Sequence, residues 1–230
     1  MTLLKICGLR HPAQARAVAA LGVDAIGVIG VPGSPRYLDP LQRPALFAAV
    51  RQERPDCRRV LVVADPGEAE LPALQADRGH DVVQLHGAES PERCAALREQ
   101  LGLPLWKALR VRGPEQLQAC AQWCGVVDAL LLDAWVPDRL GGTGHPIPPE
   151  WLAEFSPPLP WWLAGGITPE RAPWLLQRLR PVGLDASSGV EDAPGEKNLD
   201  RVASLVAAVR LDGAADPGAA VPSASGLESS

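Results

Sequence analysis

The sequence lacks several features that define whole classes of protein. No run of apolar residues reaches the roughly 18 that a transmembrane helix needs, so we expect no contact with a membrane. No long basic stretch occurs, the net charge is -5 and the calculated pI is about 5.4, so nucleic acid is not an expected partner either. The opening Met-Thr-Leu-Leu-Lys has no features of a signal peptide, and none is expected.

Cysteine and histidine are both scarce. The five cysteines are odd in number and irregularly spaced, which argues against a disulfide framework and favours a reducing cytoplasm. Cys120 and Cys124 would share one face of a helix and could form half of a metal site. No second half is visible, and the four histidines form no cluster with carboxylates. We therefore expect apolar packing for these cysteines, no bound metal and no cofactor.

The sequence does show a regular alternation between short apolar runs and segments with helical spacing. Runs buried on both faces predict eight strands, near residues 3–7, 25–29, 59–63, 81–85, 105–109, 129–132, 161–164 and 182–185. Helix punctuation lies between them: Pro12 with Gly22, Ser90-Pro91-Glu92 with Gly102, and Thr168-Pro169-Glu170. The weakest predicted helices follow the second and sixth strands, where proline and glycine are concentrated.

Eight such units in 230 residues predict a single (β/α)8 barrel of the TIM type. A doubly wound open sheet is the alternative, because periodicity alone does not distinguish the two folds. The barrel domain is expected to span residues 1–212. Residues 213–230 are rich in Gly, Ala, Pro and Ser, and we interpret them as a disordered tail.

Two strand ends carry groups suited to acid–base chemistry. Cys7 ends the first strand, where a thiolate would be favoured by a neighbouring lysine or an electropositive site. Asp133 follows three leucines at the end of the sixth strand. In a ring of eight strands these two lie three steps apart, so a substrate between them would meet a base and an acid. The alternatives are a small buried thiol and a carboxylate that stabilises a loop.

Glycine-rich loops follow the late strands and predict a phosphate site. The candidates are Gly142 and Gly144 after strand six, Gly165 and Gly166 after strand seven, and Ser188 and Gly189 after strand eight. Glycine permits close approach of backbone N–H groups to an anion, and the loops after strands seven and eight are the usual phosphate site of this barrel. Any single glycine pair is weak evidence, since turns also need glycine.

Two further side chains are candidates for binding a substrate. Arg36, in the loop after strand two, could hold a carboxylate bidentately or be a solvated arginine. His86 ends strand four and could donate a hydrogen bond in the pocket or be an ordinary loop histidine.

Together these segments resemble the phosphoribosylanthranilate isomerase family. The resemblance rests on KICG at 5–8, SPRY at 34–37, QLHG at 84–87, LLD at 131–133, GGTG at 141–144, AGGI at 164–167 and DASSGVE at 185–191. It implies a (β/α)8 barrel that needs no cofactor and converts N-(5'-phosphoribosyl)anthranilate to 1-(2-carboxyphenylamino)-1-deoxyribulose 5-phosphate in tryptophan biosynthesis. The expected partner is this small phosphorylated substrate, and the expected state is a monomer or a homodimer.

The resemblance also implies roles for individual residues. Asp133 would be the general acid that opens the ribose ring, and Cys7 the general base that removes the C2' proton. Arg36 would hold the anthranilate carboxylate, and Asp185 would hydrogen-bond the substrate.

Two other functions remain open at this point. A pentulose-phosphate epimerase would need metal-binding histidines and acids on several strands, which the sequence lacks. A barrel that binds a phosphorylated ligand without turnover would need neither Cys7 nor Asp133.

The tail interpretation gives a direct prediction. A chain that ends at Asp212 should fold and turn over substrate like the full-length chain, because residues 213–230 have few large apolar side chains to bury. Thermal unfolding and turnover of both chains measure this. A large fall in the melting temperature on truncation would contradict it.

Overall fold

The structure, a computed structural model, describes residues 1–134 and 147–212. Eight parallel strands, β1 to β8 in chain order, span Leu3–Cys7, Ala25–Ile29, Arg58–Val63, Val82–Leu85, Leu105–Val111, Ala129–Ala134, Trp161–Leu163 and Gly183–Ala186. They pair in sequence order, and β8 pairs with β1 to complete a closed barrel. The predicted (β/α)8 fold is thereby confirmed, and the open sheet is excluded. The predicted tail lies outside the described residues.

The strands are connected by helices of very different length. The α-helices, α1 to α6, span Pro12–Ala20, Arg43–Glu53, Pro91–Leu101, Glu115–Gln118, Ala172–Arg178 and Leu199–Asp212. Short 3-10 segments span Glu68–Leu74, Ala76–Arg78, Ala119–Trp123, Pro149–Trp151 and Ser188–Val190. A hairpin of β9 (Glu191–Ala193) and β10 (Glu196–Lys197) lies between β8 and α6. Among the described residues, no helix has the length and apolarity to cross a membrane.

Helix ends follow the punctuation in the sequence. Pro12 begins α1, where its missing N–H would have no partner in any case. The Ser90 hydroxyl caps α3 by accepting a hydrogen bond from the Arg93 backbone N–H, at 3.3 Å between heavy atoms. Gly102 ends that helix in the left-handed conformation, with φ +60°. These local signals therefore set the helix boundaries that the sequence predicts.

One expectation about the helices was wrong. The connection after β2 was predicted to hold one of the two weakest helices, but α2 is a regular helix of 11 residues. Its proline lies in the first turn, where the ring does not break the hydrogen-bond ladder. The connections without a long regular helix are instead those after β3 and β5. In the connection after β6, residues 147–160 contain only a short 3-10 segment.

The apolar residues divide between two regions. The larger one lies between the barrel wall and the surrounding helices and includes Phe47, Leu61 and Leu130. The smaller one fills the barrel interior, where Trp106 and Trp162 stack with ring centroids 4.9 Å apart. The interior is thus a packed core toward the amino ends of the strands, which leaves the carboxyl ends for a site.

Three aspartates repeat the same contact at the amino ends of the strands. Asp24, Asp81 and Asp128 each immediately precede an even-numbered strand. Each accepts a hydrogen bond from a backbone N–H of the preceding odd-numbered strand, at 2.7 to 2.8 Å. Each also pairs with an arginine. These contacts fix the register of neighbouring strands at the amino ends of the barrel. Their role is structural, because the carboxyl ends of the strands lie at the opposite end.

We therefore predict that Asp24→Ala lowers the free energy of unfolding by about 1–3 kcal/mol, because it leaves the Leu4 N–H without its acceptor and removes the carboxylate partner of Arg210. Turnover per folded molecule should not change. Chemical denaturation measures the loss, and Asp77→Ala is the matched control because its side chain is 76% exposed. Equal stability of the two variants would contradict the role of Asp24.

Candidate active site

A cavity of about 80 Å³ opens at the carboxyl ends of the strands. Six different strand ends or following loops contribute candidate residues to its lining: Cys7, Arg36, His86, Asp133, Gly165, Gly166, Asp185, Ser188 and Gly189. The barrel therefore brings together every candidate residue that lies in the described part of the chain. Gly142 and Gly144 lie outside the described residues.

Cys7 and Asp133 enter this cavity from β1 and β6. Both are largely buried, with 6% of each residue exposed. Each is the last or next-to-last residue of its strand and follows the inward-facing positions of the barrel. Burial raises the pKa of the Cys7 thiol, and the nearby Lys5 ammonium opposes that shift.

Asp133 has a histidine neighbour across the barrel mouth. His86 Nε2 lies 3.5 Å from Asp133 Oδ2, and His86 Nδ1 lies 3.2 Å from Gln84 Nε2. With the Gln84 amide donating to Nδ1, a neutral His86 ring carries its hydrogen on Nε2, on the side of Asp133. His86 Nε2 therefore lies beside this carboxylate.

Asp185 is held by a lysine inside the barrel. Lys5 Nζ donates a hydrogen bond to Asp185 Oδ2 at 2.8 Å, and the two residues are register partners on β1 and β8. The other oxygen, Asp185 Oδ1, is buried and has no hydrogen-bond partner among the described residues. Gln84 Oε1 and His86 Nε2 are likewise buried without a hydrogen-bond partner among the described residues. Buried polar atoms are normally paired, so these three mark positions for a polar ligand.

Arg36 already holds a carboxylate of the protein. Its Nε and Nη2 donate to both oxygens of Glu191, at 2.6 to 3.1 Å. Lys197 Nζ donates to the same Glu191 at 2.6 Å and to the Ser187 carbonyl at 3.3 Å. The guanidinium fork predicted for a substrate carboxylate therefore has one edge occupied by Glu191. Nη1 makes no hydrogen bond with the residues that the structure describes, and it belongs to the remaining edge.

The glycine loops after β7 and β8 pack directly against each other. A Cβ atom built on Gly189 would lie 2.0 Å from the Ile167 carbonyl oxygen, so only glycine fits. Gly165 and Gly166 both have positive φ, at +85° and +62°, in the region that favours glycine. The two loops thus bring four backbone units to one side of the cavity: Gly165, Gly166, Ser188 and Gly189.

Sequence reasoning missed four side chains of this site: Lys5, Gln84, Glu191 and Lys197. Lys5 and Gln84 each stand two residues before a candidate, Cys7 and His86, and a strand alternates its faces with a period of two. That spacing could have identified both as inward-facing. Glu191 and Lys197 lie on the β9–β10 hairpin, which the sequence did not predict, so no comparable signal existed for them.

The Cys120–Cys124 pair does not form half of a metal site. Cys120 is buried, whereas Cys124 is exposed at the end of the 3-10 segment, so the two thiols do not share a helix face. Among residues 1–134 and 147–212, no group of three or more His, Cys, Asp or Glu is arranged to hold a metal ion.

A closed parallel barrel with opposed acid and thiol groups at the carboxyl ends of its strands defines an enzyme of the (β/α)8 class. Residues 4–208 match the family described as N-(5'phosphoribosyl)anthranilate (PRA) isomerase. An N-(5'-phosphoribosyl)anthranilate isomerase of Thermosynechococcus vestitus is 45% identical over 204 residues, which cover 88% of this chain and 87% of that protein.

Solved structures give the same result. The phosphoribosyl anthranilate isomerase of Thermus thermophilus superposes with a TM-score of 0.76 at 34% identity, covering 91% of this chain and 99% of that one. A phosphoribosyl anthranilate isomerase in complex with reduced 1-(o-carboxyphenylamino)-1-deoxyribulose 5-phosphate has a TM-score of 0.74 at 25% identity, with the same coverage. The chain belongs to the N-(5'-phosphoribosyl)anthranilate isomerase family.

Proposed function

We propose that this chain isomerises N-(5'-phosphoribosyl)anthranilate to 1-(2-carboxyphenylamino)-1-deoxyribulose 5-phosphate, with Cys7 as general base and Asp133 as general acid. The observation that carries the proposal is that both side chains line one cavity from strands three steps apart around the ring. A sugar bound between them is flanked by one group on each side. In acid–base catalysis the acid and the base must first lie within reach of the protons that they transfer. Matched pKa values matter only when this geometry is met.

The reaction divides into two proton transfers. Asp133, in its protonated form, gives a proton to the ribose ring oxygen as the C1'–O bond breaks, and the ring opens to a Schiff base. The Cys7 thiolate then removes the proton from C2', and the electron pair moves to give an enolamine. Tautomerisation of the enolamine gives the ketone. His86 lies 3.5 Å from Asp133 and is placed to keep this carboxyl group oriented.

The remaining side chains would bind the parts of the substrate that do not react. The free edge of Arg36 is suited to the anthranilate carboxylate, and the unpaired Asp185 Oδ1 to a sugar hydroxyl. The loops at Gly165, Gly166, Ser188 and Gly189 would bind the phosphate, together with Gly142 and Gly144. The relative solved with a reduced product carries a ligand with a carboxylate, hydroxyls and a phosphate, which is the same set of groups.

The expected partners follow from this activity. We expect the chain to act on its small phosphorylated substrate in the cytoplasm, as a monomer or a homodimer, without nucleic acid, membrane, metal or cofactor.

A turnover assay that follows the loss of phosphoribosylanthranilate fluorescence tests the proposed function. Turnover is expected, and its rate should be the same after exhaustive chelator treatment. Loss of activity with chelator and recovery with a divalent metal would favour an epimerase-type mechanism instead. Binding of the product without turnover would favour the ligand-binding alternative.

The catalytic pair is tested by substitution. Cys7→Ala and Asp133→Asn should each lower kcat by about 10²–10⁴-fold, the usual contribution of a general base or acid. Both variants should still bind a product analogue, because the proposal assigns the phosphate and the carboxylate to other residues. Cys7→Ser should also be severely impaired, since a hydroxyl is a far weaker base than a thiolate.

Arg36→Ala is the contrasting variant, with its main effect expected in KM through the lost carboxylate contact. Steady-state kinetics and analogue binding distinguish the two patterns. Near-normal kcat in Cys7→Ala would mean that the cysteine is a packing residue, and the proposed mechanism would fail.

The phosphate loops are tested at Gly166. Gly166→Val should raise KM strongly, because a β-branched residue is strained at φ +62° and its side chain would block close approach of the phosphate. Inhibition by inorganic phosphate should weaken in parallel. Gly102→Val is the control, since Gly102 has a similar φ of +60° with no neighbouring atom within 4 Å and lies at the end of α3. Unchanged KM and phosphate inhibition in Gly166→Val would refute the assignment.

A further inference from the structure

Lys5 is a buried charge that the mechanism above does not use. It is completely inaccessible to solvent and lies inside the barrel on β1, two residues before Cys7. Its Nζ is 2.8 Å from Asp185 Oδ2. Burying an ion pair has a large desolvation cost, and a pair of apolar side chains would often fill the same space more favourably. The presence of a lysine here therefore calls for a role beyond packing.

The Lys5 side chain lies next to the Cys7 thiol. Residues two apart on a strand point to the same face, so both side chains extend into the barrel. Gly27 faces them from β2, where it is the register partner of Cys7. A Cβ atom built on Gly27 would lie 2.6 Å from Cys7 Sγ and 3.1 Å from Lys5 Cε. The two side chains thus border the same small space, which the glycine leaves open.

Charged groups surround Cys7 from several elements. Lys5 lies on β1, Asp185 on β8 and Lys197 on β10, and all three act on the thiol. Arg36, in the loop after β2, also interacts with it. Burial raises the pKa of Cys7 most, and among the charges Lys5 has the largest effect and lowers it. Across the cavity, His86 and Asp133 face the same space.

Lys5 itself is expected to stay charged. Burial lowers its pKa, but the Asp185 carboxylate and the Cys7 side chain outweigh this effect, so the pKa lies above its ordinary value. The ammonium group can therefore act as a fixed positive charge while the proton moves elsewhere.

We propose that Lys5 is a positioning residue for the isomerisation, whose ammonium group stabilises the Cys7 thiolate and holds Asp185 with Oδ1 free for the substrate. The inference rests on the proposed function, in which Cys7 is the base. The resting thiol loses its proton to solvent, the thiolate then accepts the proton from C2', and Lys5 keeps its three protons throughout. Without Lys5, the thiolate would be buried beside the negative charge of Asp185.

The test is the pH dependence of alkylation of Cys7 by iodoacetamide, in a Cys124→Ser background that removes the exposed thiol. Peptide mapping locates the adduct at Cys7. Lys5→Met keeps the length of the side chain and removes its charge. We expect the midpoint of alkylation to move to higher pH by about one unit or more, which corresponds to an approximately tenfold lower thiolate fraction below the midpoint. The limb of the kcat/KM profile that reports ionisation of Cys7 should move in the same direction, with kcat falling more than KM rises.

Lys107→Met is the matched control. Lys107 is also a buried lysine paired with a carboxylate, with Nζ 2.6 Å from Glu89 Oε2, but it does not line the cavity of Cys7. This variant should lose stability without a shift in the alkylation midpoint. If Lys5→Met does not fold, the Lys5→Met/Asp185→Asn double variant removes both charges, and a smaller shift in the same direction is expected because Lys5 acts on the thiol more strongly than Asp185.

An unchanged alkylation midpoint in folded Lys5→Met, or in the double variant, would overturn the role of Lys5. Failure of the proposed function has a different signature, because near-normal kcat in Cys7→Ala would refute Cys7 as the base whatever the alkylation profile shows.

Discussion

The pairing of β8 with β1 is the constraint on which the site depends. It closes eight parallel strands into a ring, so that all their carboxyl ends meet at one mouth. Closure places Cys7 and Asp133 on opposite sides of a single cavity, although they are far apart in the chain. It also makes Lys5 and Asp185 register partners, and their ion pair crosses the seam between the first and last strands. An open sheet of the same strands would leave β1 and β8 apart and the site incomplete.

The barrel interior changes character along its axis. Toward the amino ends it is filled with apolar side chains, including the stacked pair Trp106 and Trp162. Toward the mouth it holds ionic groups in pairs or larger sets, such as Lys5 with Asp185 and Arg36 with Glu191. In these two pairs an opposite charge lies within hydrogen-bond distance, which offsets the cost of removing the charges from water. This arrangement concentrates electrostatic effects where proton transfers are proposed, because the local dielectric is low.

The fold could be predicted almost completely from the sequence, because its signals are local. Apolar runs buried on both faces located all eight strands, and prolines and glycines such as Pro12 and Gly102 marked helix ends. The interpretation was less accurate after β2, since the concentration of proline there precedes a regular helix rather than replacing it. The candidate site residues at strand ends were also predictable, because in this fold the position along a strand decides where a side chain points.

The parts of the site that could not be predicted depend on contacts between distant segments. Nothing in the sequence indicates that Glu191 reaches Arg36, 155 residues away, or that Lys197 joins them. The fit of Gly189 against the Ile167 carbonyl is likewise a property of two loops brought together by the barrel. Such pairings depend on tertiary geometry, which residue type and spacing do not encode.

The three aspartates at the amino ends of the strands bear on how the chain folds. Their bonds to the preceding strands join residues only 20 to 23 apart in sequence, whereas the bond between Lys5 and Asp185 spans 180. Because the entropy lost on closing a loop grows with its length, contacts within the first six strands are formed at lower entropic cost than the final seam. The aspartates thus divide this part of the barrel into three local strand pairs, β1–β2, β3–β4 and β5–β6. In each pair an aspartate accepts a hydrogen bond from the backbone of the preceding strand. A chain that formed these two-strand units first would close the ring last, at the seam between β8 and β1.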